Sequence, residues 1–362
     1  MKSKFKPIYL LPLLGALFLT SGLAQAKDMI LTAIKPNRII IADPDSMKIT
    51  RQIEVENAGP TISTVVPSRD GKSAFMSGNK FESIIKIDLD SGKELMRIDL
   101  SDDANRVKAM FGMDVSPDDS TIAVYENPVE ILKSEYRVLS TRISLYDAST
   151  GALKARSDAP RQITVLAYSN DGSRLYGMGR ALHIFDGKTG NKIGEHKTQE
   201  WDRANFYPPD ILSVWQQWES AGVFTTPYYS ARSDMDLADP AAYWTGILRL
   251  DLDTGEFSMT DVENTDVFYF SSAAHPSKKN IVYAAYNNLT KLDAESGKPI
   301  KRIDLPHSYY ATNITTDGKK VIIGGAMGDI RIFDSETLQE LGAIDMPGGA
   351  NMGLANLRVF QQ

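Results

Sequence analysis

A short strand–turn–strand unit recurs along this chain, and its repetition restricts the possible fold more than any other feature. The clearest copy is residues 84–98 (IIKIDLDSGKELMRI), where apolar residues alternate on both sides of a turn containing Asp, Ser and Gly. In such turns Asp and Ser side chains accept hydrogen bonds from nearby backbone amides, and Gly tolerates a positive φ. The unit occurs seven times, and each copy has a leading aspartate: Asp43, Asp88, Asp147, Asp186, Asp251, Asp293 and Asp334.

The spacing of these aspartates predicts a β-propeller. Four of the six intervals between them are 39 to 45 residues long, which is the period of a propeller blade. A second type of turn precedes the aspartate turn at a similar offset in most units, at residues 68–71, 116–119, 169–172 and 315–318, with a degenerate copy at 275–278. Two turns per unit imply four strands. We therefore predict an all-β fold, a seven-bladed β-propeller with four antiparallel strands per blade, in which the repeated aspartates are structural.

The two ends of the chain predict how the ring closes. The first unit shows three strands, at residues 29–34, 38–43 and 49–55, and lacks a fourth. Residues 352–360 form an unassigned strand at the other end of the chain. Because an open sheet edge is a liability, we expect this C-terminal strand to pair with the N-terminal blade.

The N-terminus has the pattern of a secretory signal peptide. Lys2, Lys4 and Lys6 precede an apolar run at residues 8–19, and Ala24-Gln25-Ala26 has the form of a cleavage site. We predict a cleaved signal peptide at residues 1–26, a propeller at 27–362 and a periplasmic location. The apolar run is short for a membrane span, so no membrane association is expected.

Composition excludes several kinds of chemistry in this chain. It has no cysteine, so it cannot form disulfides, thiolate metal sites or the thioether links that attach c-type haem. Its net charge of −6 argues against nucleic acid as a partner. The four histidines lack metal-binding spacing, and no catalytic motif is present. We expect neither catalytic residues nor metal ligands here, and the residues alone favour a binding or scaffold protein.

The fifth unit carries an aromatic-rich insertion at about residues 199–246. All four tryptophans lie there, together with Pro208-Pro209 and several Phe and Tyr residues. Such a segment suggests a binding surface, although the rings could instead fill an oversized blade. The crossing between blades at residues 306–310 is a second candidate, because crossings face one end of the propeller channel. The candidate substrate-pocket or interface residues are Trp215, Trp218, Phe224, Tyr228, Tyr229, His307, Tyr309 and Tyr310.

Four strings outside the blade turns resemble one family, the β subunit of bacterial quinohemoprotein amine dehydrogenase. They are RVKAMFG (106–112), APRQIT (159–164), DVFYFS (266–271) and LPHSYY (305–310). The resemblance implies a periplasmic heterotrimer that oxidises primary amines to aldehydes and ammonia. It also implies that an α subunit carries two c-type haems, and that a small γ subunit carries cysteine tryptophylquinone and the catalytic base. This chain would then be a scaffold without a cofactor, which fits its lack of cysteine.

Two other functions remain open at the level of sequence. The chain could be the heavy chain of a methylamine-dehydrogenase-type enzyme, which shares the propeller but pairs with a disulfide-rich light chain. It could also be a stand-alone propeller that binds a ligand or acts as a lactonase. The last possibility predicts acidic or histidine ligands clustered at the channel mouth, and the sequence spacing gives no sign of them.

Overall fold

A computed structural model describes residues 26–211, 218–264, 267–325, 327–353 and 356–362. The predicted signal peptide therefore lies outside the described residues, except for Ala26. Across the described ranges the chain forms thirty strands in seven antiparallel sheets, with two short 3-10 helices at Pro240–Ala242 and Pro347–Gly349. No helix in these ranges is long and apolar enough to span a bilayer. The predicted seven-bladed β-propeller is confirmed.

Each sheet is one blade. Blade 1 combines β1 (Asp28–Ile34), β2 (Arg38–Asp43) and β3 (Lys48–Glu54) with the last strand, β30 (Arg358–Gln361). Blade 2 contains β4 (Val65–Pro67), β5 (Ser73–Gly78), β6 (Ser83–Asp88) and β7 (Glu94–Asp99). Blade 3 contains β8 (Asn105–Lys108), β9 (Met113–Val115), β10 (Thr121–Ile131), β11 (Tyr136–Val138), β12 (Arg142–Asp147) and β13 (Leu153–Asp158). Blade 4 contains β14 (Val165–Tyr168), β15 (Arg174–Met178), β16 (Leu182–Asp186) and β17 (Lys192–His196).

The remaining three blades follow the same order. Blade 5 contains β18 (Asp210–Ile211), β19 (Val223–Ala231), β20 (Tyr243–Asp251) and β21 (Phe257–Asn264). Blade 6 contains β22 (Tyr269–Ala274), β23 (Ile281–Tyr286), β24 (Asn288–Asp293) and β25 (Lys298–Asp304). Blade 7 contains β26 (Ala311–Ile314), β27 (Lys320–Gly324), β28 (Asp329–Asp334) and β29 (Glu340–Asp345). In blades 4 and 7, for example, the first strand is buried along its length and the last strand is largely exposed, as expected when first strands line the central channel.

The ring has two ends with different connections. The end that we call the turn end carries the turns between first and second strands and the aspartate turns between third and fourth strands. The opposite end, the crossover end, carries the connections between second and third strands and the crossings from blade to blade.

The aspartate turns have the geometry that their sequence predicts. In the copy at 88–92, Oδ1 of Asp88 accepts hydrogen bonds from the backbone N–H of Ser91 at 2.6 Å and of Asp90 at 3.1 Å. The residue four positions after the aspartate has a positive φ in all seven copies. It is glycine in five of them, and Met47 and Leu338 take its place in the other two.

The C-terminal strand closes the ring as predicted. β30 pairs antiparallel with β1, with Ile30 opposite Val359, and becomes the innermost strand of blade 1. The backbones of Lys27 and Gln362 exchange two hydrogen bonds of 2.9 Å just beyond this pairing. The strand is shorter than the predicted 352–360, because the segment before Arg358 still belongs to the crossing from blade 7.

The hydrophobic core lies between neighbouring blades rather than inside any one of them. Tyr283 and Leu289 of blade 6, for example, pack against Ile314, Val321 and Phe333 of blade 7. Burial of one such side chain stabilises the fold by roughly 1.5–3 kcal/mol. Each blade therefore depends on both of its neighbours, and a closed ring is the arrangement that leaves no blade face exposed.

Candidate functional site at the crossover end

Most of the large apolar side chains that are exposed in the described part of the propeller lie at one end of the ring. Fourteen large apolar side chains are exposed in the described ranges. Nine of them lie in or beside the connections of the crossover end: Met110, Ile131, Tyr136, Val138, Tyr207, Leu237, Tyr243, Phe268 and Met327. The other five lie on outer strands around the perimeter: Leu95, Leu153, Ile193, Ile300 and Leu341. Scattered apolar side chains are ordinary on a protein surface, whereas a concentration on one face indicates an interaction surface.

A row of five aromatic rings forms the most ordered part of this surface. Tyr229 stacks on Phe268 with ring centroids 4.7 Å apart, and Phe268 meets Tyr286 edge-on at 5.2 Å. Phe270 then stacks on Tyr286 at 5.6 Å and on Tyr310 at 4.4 Å. These residues come from blades 5 and 6 and from the crossing into blade 7, so the row joins three units of the ring. We call it the aromatic row.

Phe268 is the most accessible ring of the row, with 43% of its surface exposed. The neighbouring Tyr229 is fixed by two hydrogen bonds to the backbone of Tyr269. The Tyr229 hydroxyl donates to the Tyr269 carbonyl and accepts from the Tyr269 N–H at 2.8 Å. Burial raises the pKa of the Tyr229 hydroxyl, which is therefore neutral at physiological pH. The row thus presents a rigid, uncharged, apolar edge to a partner.

A polar cluster next to the row fixes the crossing at 305–310. The hydroxyl of the buried Tyr309 donates to Oδ2 of Asp329 at 2.7 Å and accepts from Nε of Arg331 at 2.8 Å. Nε2 of His307 lies 2.8 Å from Oδ1 of the same carboxylate, and its ring stacks on Tyr309 at 4.1 Å. Nδ1 of His307 lies 3.0 Å from the carbonyl of Ser308. Both ring nitrogens are therefore engaged, and His307 holds the loop in place.

The structure separates the candidates that the sequence grouped together. Tyr229, His307, Tyr309 and Tyr310 lie at the crossover end, but Tyr309 is fully buried. Phe224 and Tyr228 belong to the core between blades 4 and 5, where the hydroxyl of Tyr228 donates to Asp261 at 2.6 Å.

Trp218 lies in the turn 218–222, at the opposite end of the ring. The segment at 199–246 contributes strands of blade 5 itself, so several of its rings are core residues. Trp215 lies outside the described residues.

Sequence reasoning missed Phe268, Phe270, Tyr286 and Met327. The first three come from the sixth unit and Met327 comes from the seventh, and they share no periodic spacing, so only the folded ring brings them together. The string at 266–271 resembles the amine dehydrogenase subunit, and it contains two of these four residues, Phe268 and Phe270. That string was the one signal in the sequence that could have pointed to the row.

No group of three or more His, Cys, Asp or Glu side chains in the described ranges could hold a metal ion. The feature that a metal-dependent lactonase would need at its channel mouth is therefore missing from this part of the chain. The crossover end offers contact area instead, with a shallow groove beside the row lined by Lys35, His307, Tyr310 and Met327.

Comparisons with known proteins identify the fold. No protein-family model matches the chain, and no curated protein matches it. Among solved structures it is similar to a chain of the hydrazine synthase of Kuenenia stuttgartiensis, with a TM-score of 0.58, 12% identity, and coverage of 86% of this chain and 90% of that one. It is also similar to a functionally unknown protein from Desulfotomaculum acetoxidans, with a TM-score of 0.58, 12% identity, and coverage of 92% and 99%. At these identities the similarity concerns the propeller architecture alone.

Proposed function

We propose that this chain is the propeller subunit of a periplasmic amine dehydrogenase complex of the quinohemoprotein type. The observation that carries the proposal is the concentration of exposed apolar side chains at the crossover end, where nine of the fourteen identified in the described ranges lie. Aromatic residues and methionine are enriched in protein–protein interfaces, and both are prominent on this surface. The crossover end is then the docking site for the subunits that carry the redox groups.

The proposed division of labour follows from the composition of the chain. A primary amine reacts with water to give an aldehyde and ammonia, and releases two electrons and two protons. The electrons need acceptors, and a chain without cysteine can hold neither a thioether-linked quinone nor c-type haem. A γ subunit with cysteine tryptophylquinone and an α subunit with two haems supply these groups, and this chain supplies a rigid surface on which they assemble.

The aromatic row also has a proposed role beside the substrate. An uncharged aromatic edge suits the alkyl part of an amine, so Tyr229, Phe268 and Tyr310 are the residues we expect nearest to it.

Co-purification from the native periplasm tests the docking surface. A tagged wild-type chain is expected to bring down one chain that stains for haem and one short chain that stains for quinone. Phe268→Ser and Met327→Ser are each expected to reduce recovery about tenfold, since loss of a buried apolar side chain costs roughly 1.5–3 kcal/mol. Ile300→Ser is the matched control, because Ile300 and Met327 are both 54% exposed and Ile300 lies on the perimeter.

The same experiment separates the alternatives. Recovery of a disulfide-rich light chain without haem would favour the methylamine-dehydrogenase-type heavy chain. Recovery of no partner at all, or equal recovery with wild type and both crossover-end variants, would contradict the proposal. Met327→Ser and Ile300→Ser should retain the wild-type melting temperature, because both side chains are more than half exposed, whereas Phe268→Ser should lower it slightly because Phe268 packs against Tyr229 and Tyr286.

A further inference from the structure

Blade 3 carries a small second sheet that is separate from the aromatic row. β10 continues past the end of its blade, and its last residues pair with β8 on one side and with β11 on the other. We call these three paired segments the raised sheet. It stands at the crossover end, because β10 runs from a first turn toward that end. Blade 3 lies across the seven-bladed ring from blades 6 and 7, so the raised sheet and the aromatic row are two distinct surfaces.

One face of the raised sheet is apolar and exposed. Val129 lies directly opposite Val138, and Ile131 lies directly opposite Tyr136. Residues that are directly opposite in an antiparallel pair point to the same face, so these four side chains form one surface. Ile131, Tyr136 and Val138 are 38%, 63% and 60% exposed.

The opposite face of the same strands is polar. Glu130 and Arg137 lie directly opposite each other, and their side chains form an ion pair of 3.0 Å. The alternation is therefore that of a sheet with one buried face, although no part of the described ranges covers the apolar one. An exposed apolar face of this kind marks a surface that another protein covers.

Basic side chains border the apolar face. Arg106 lies directly opposite Val129, and Lys108 lies directly opposite Asn127, so both point to the apolar side of the sheet. The half-exposed Arg106 has a carboxylate partner, Glu82, at 3.3 Å. Lys108 forms no ion pair within the described ranges. The face thus combines an apolar centre with a cationic border.

The neighbouring loop of blade 2 adds another cation, in a strained backbone conformation. Asn79, Lys80 and Phe81 have consecutive positive φ values of 52°, 59° and 69°. The carbonyl of Phe81 accepts from the backbone N–H of Ala109 at 2.8 Å, which ties this loop to the end of β8. Lys80 is exposed and has no ion pair in the described part of the chain. Ordinary residues adopt this conformation at a cost, and such strain is concentrated where a loop has a function.

The charge of this border indicates the kind of partner. The whole chain has a net charge of −6, so the cations at the raised sheet are a local feature and do not reflect its composition. A protein that covers the apolar face must bring its own surface close to Lys108 and Lys80. Carboxylates on that surface would be attracted, and lysines or arginines would be repelled.

The proposed function requires two partner chains, and the aromatic row is the surface expected beside the substrate and therefore beside the quinone. We propose that the raised sheet binds the haem-bearing chain, and that the matching face of that chain has an apolar centre bordered by carboxylates. This inference rests on the proposed function and assigns its two partners to different blades.

Co-purification of tagged variants from the native periplasm tests the assignment, with the amount of haem recovered per tagged chain as the readout. Val138→Ser should lower haem recovery about tenfold, because it places a hydroxyl in the apolar centre of the interface. Ile193→Ser is the matched control, because Ile193 and Val138 are both 60% exposed and Ile193 lies on an outer strand, β17. Both variants should keep the wild-type melting temperature, since neither side chain is buried.

Lys108→Glu tests the cationic border. It should lower haem recovery severalfold at about 50 mM NaCl and much less at about 300 mM NaCl, because salt screens charges at the rim of an interface. Lys301→Glu is the control, since Lys301 is an exposed lysine on the outer strand β25 and has no ion pair in the described ranges.

The outcomes separate this assignment from the proposed function. If wild type recovers both partner chains and the haem recovered with Val138→Ser and Lys108→Glu is unchanged, or falls equally with their controls, the assignment is wrong and the proposed function stands. If wild type recovers neither chain, both are wrong. Sedimentation of the purified chain as a dimer that Val138→Ser converts to a monomer would show that a second copy covers the raised sheet, which also overturns the assignment.

Discussion

At the scale of single residues, the two aspartate turns that lack glycine show how packing overrides backbone preference. Met47 and Leu338 hold a positive φ of 55° and 53°, a conformation that costs an ordinary residue roughly 1–2 kcal/mol. Leu338 is buried in the core of blade 7, and Met47 packs against the core shared by blades 7 and 1. Burial of a leucine side chain is worth roughly 1.5–3 kcal/mol, which offsets the backbone cost.

Leu338→Gly should therefore destabilise the fold although it relieves the backbone. We expect a loss of about 2 kcal/mol in the free energy of unfolding, since the lost burial and the cavity outweigh the relief. Gly92→Ala should lower the free energy of unfolding by about 1 kcal/mol, because Gly92 has a φ of 74° that alanine adopts with strain. An added Cβ would meet only Ile53, so little new burial offsets that strain. Urea unfolding monitored by tryptophan fluorescence measures both. A stabilised Leu338→Gly variant would show that the backbone term dominates.

Asp114 makes a second prediction at this scale. Its folded-state pKa of about 6 lies above the ordinary value of 3.8, so folding favours the protonated form. Its favourable contribution is fully present below about pH 4 and is lost as the pH rises through 6. A difference of this size corresponds to roughly 3 kcal/mol at most. Asp114→Asn should thus gain stability relative to wild type between pH 4 and 7. A difference between the two proteins that does not change with pH would contradict this account.

At the scale of elements, the closing strand is short and completes the ring. β30 has only four residues, and it is held by β1 on one side and by Glu219 of blade 5 across the channel. The Glu219 side chain is bonded to the backbone of Val359 and to the side chain of Arg358. One carboxylate therefore ties the last strand to a blade on the far side of the ring.

Glu219→Ala should open this closure. It leaves the guanidinium of Arg358 buried without its carboxylate, a change that costs about 3–5 kcal/mol in comparable sites. Hydrogen exchange at the amide of Val359 should accelerate more than exchange in the middle blades. Lys319→Ala is the comparison, because its pair with Asp317 is exposed and such pairs are worth little. Uniform acceleration across all blades would show that the ring opens as one unit instead.

The elements were predictable from sequence where their signals are local or periodic. The aspartate turns, the blade count and the closing strand follow from alternation and from a repeat near forty residues. The position of Trp218 at the turn end was not predictable, because its turn, Trp218-Glu219-Ser220-Ala221-Gly222, lacks the Ser/Thr-x-Asp pattern of four of the other first turns. The aromatic row was not predictable, because its members meet only through the curvature of the closed ring.

At the scale of the whole molecule, the two ends of the ring differ in chemistry. The turn end is built from aspartates that cap its turns, and the five exposed large apolar side chains nearest to it are spread over five different outer strands. The crossover end carries nine such side chains, together with the aromatic row. A scaffold that must bind partners in one orientation needs such an asymmetry, and the repeat itself produces it, because the capped turns all fall at the same end.

The most direct test of this account compares the purified chain, residues 27–362, with the complex isolated from the periplasm. The measurement is amine-dependent reduction of an electron-accepting dye, recorded together with the visible absorption spectrum. We predict no turnover and no visible chromophore in the single chain, and both properties once the co-purified chains are added back. Turnover or a bound chromophore in the single chain would contradict the central claim that this propeller supplies surface while its partners supply the redox chemistry.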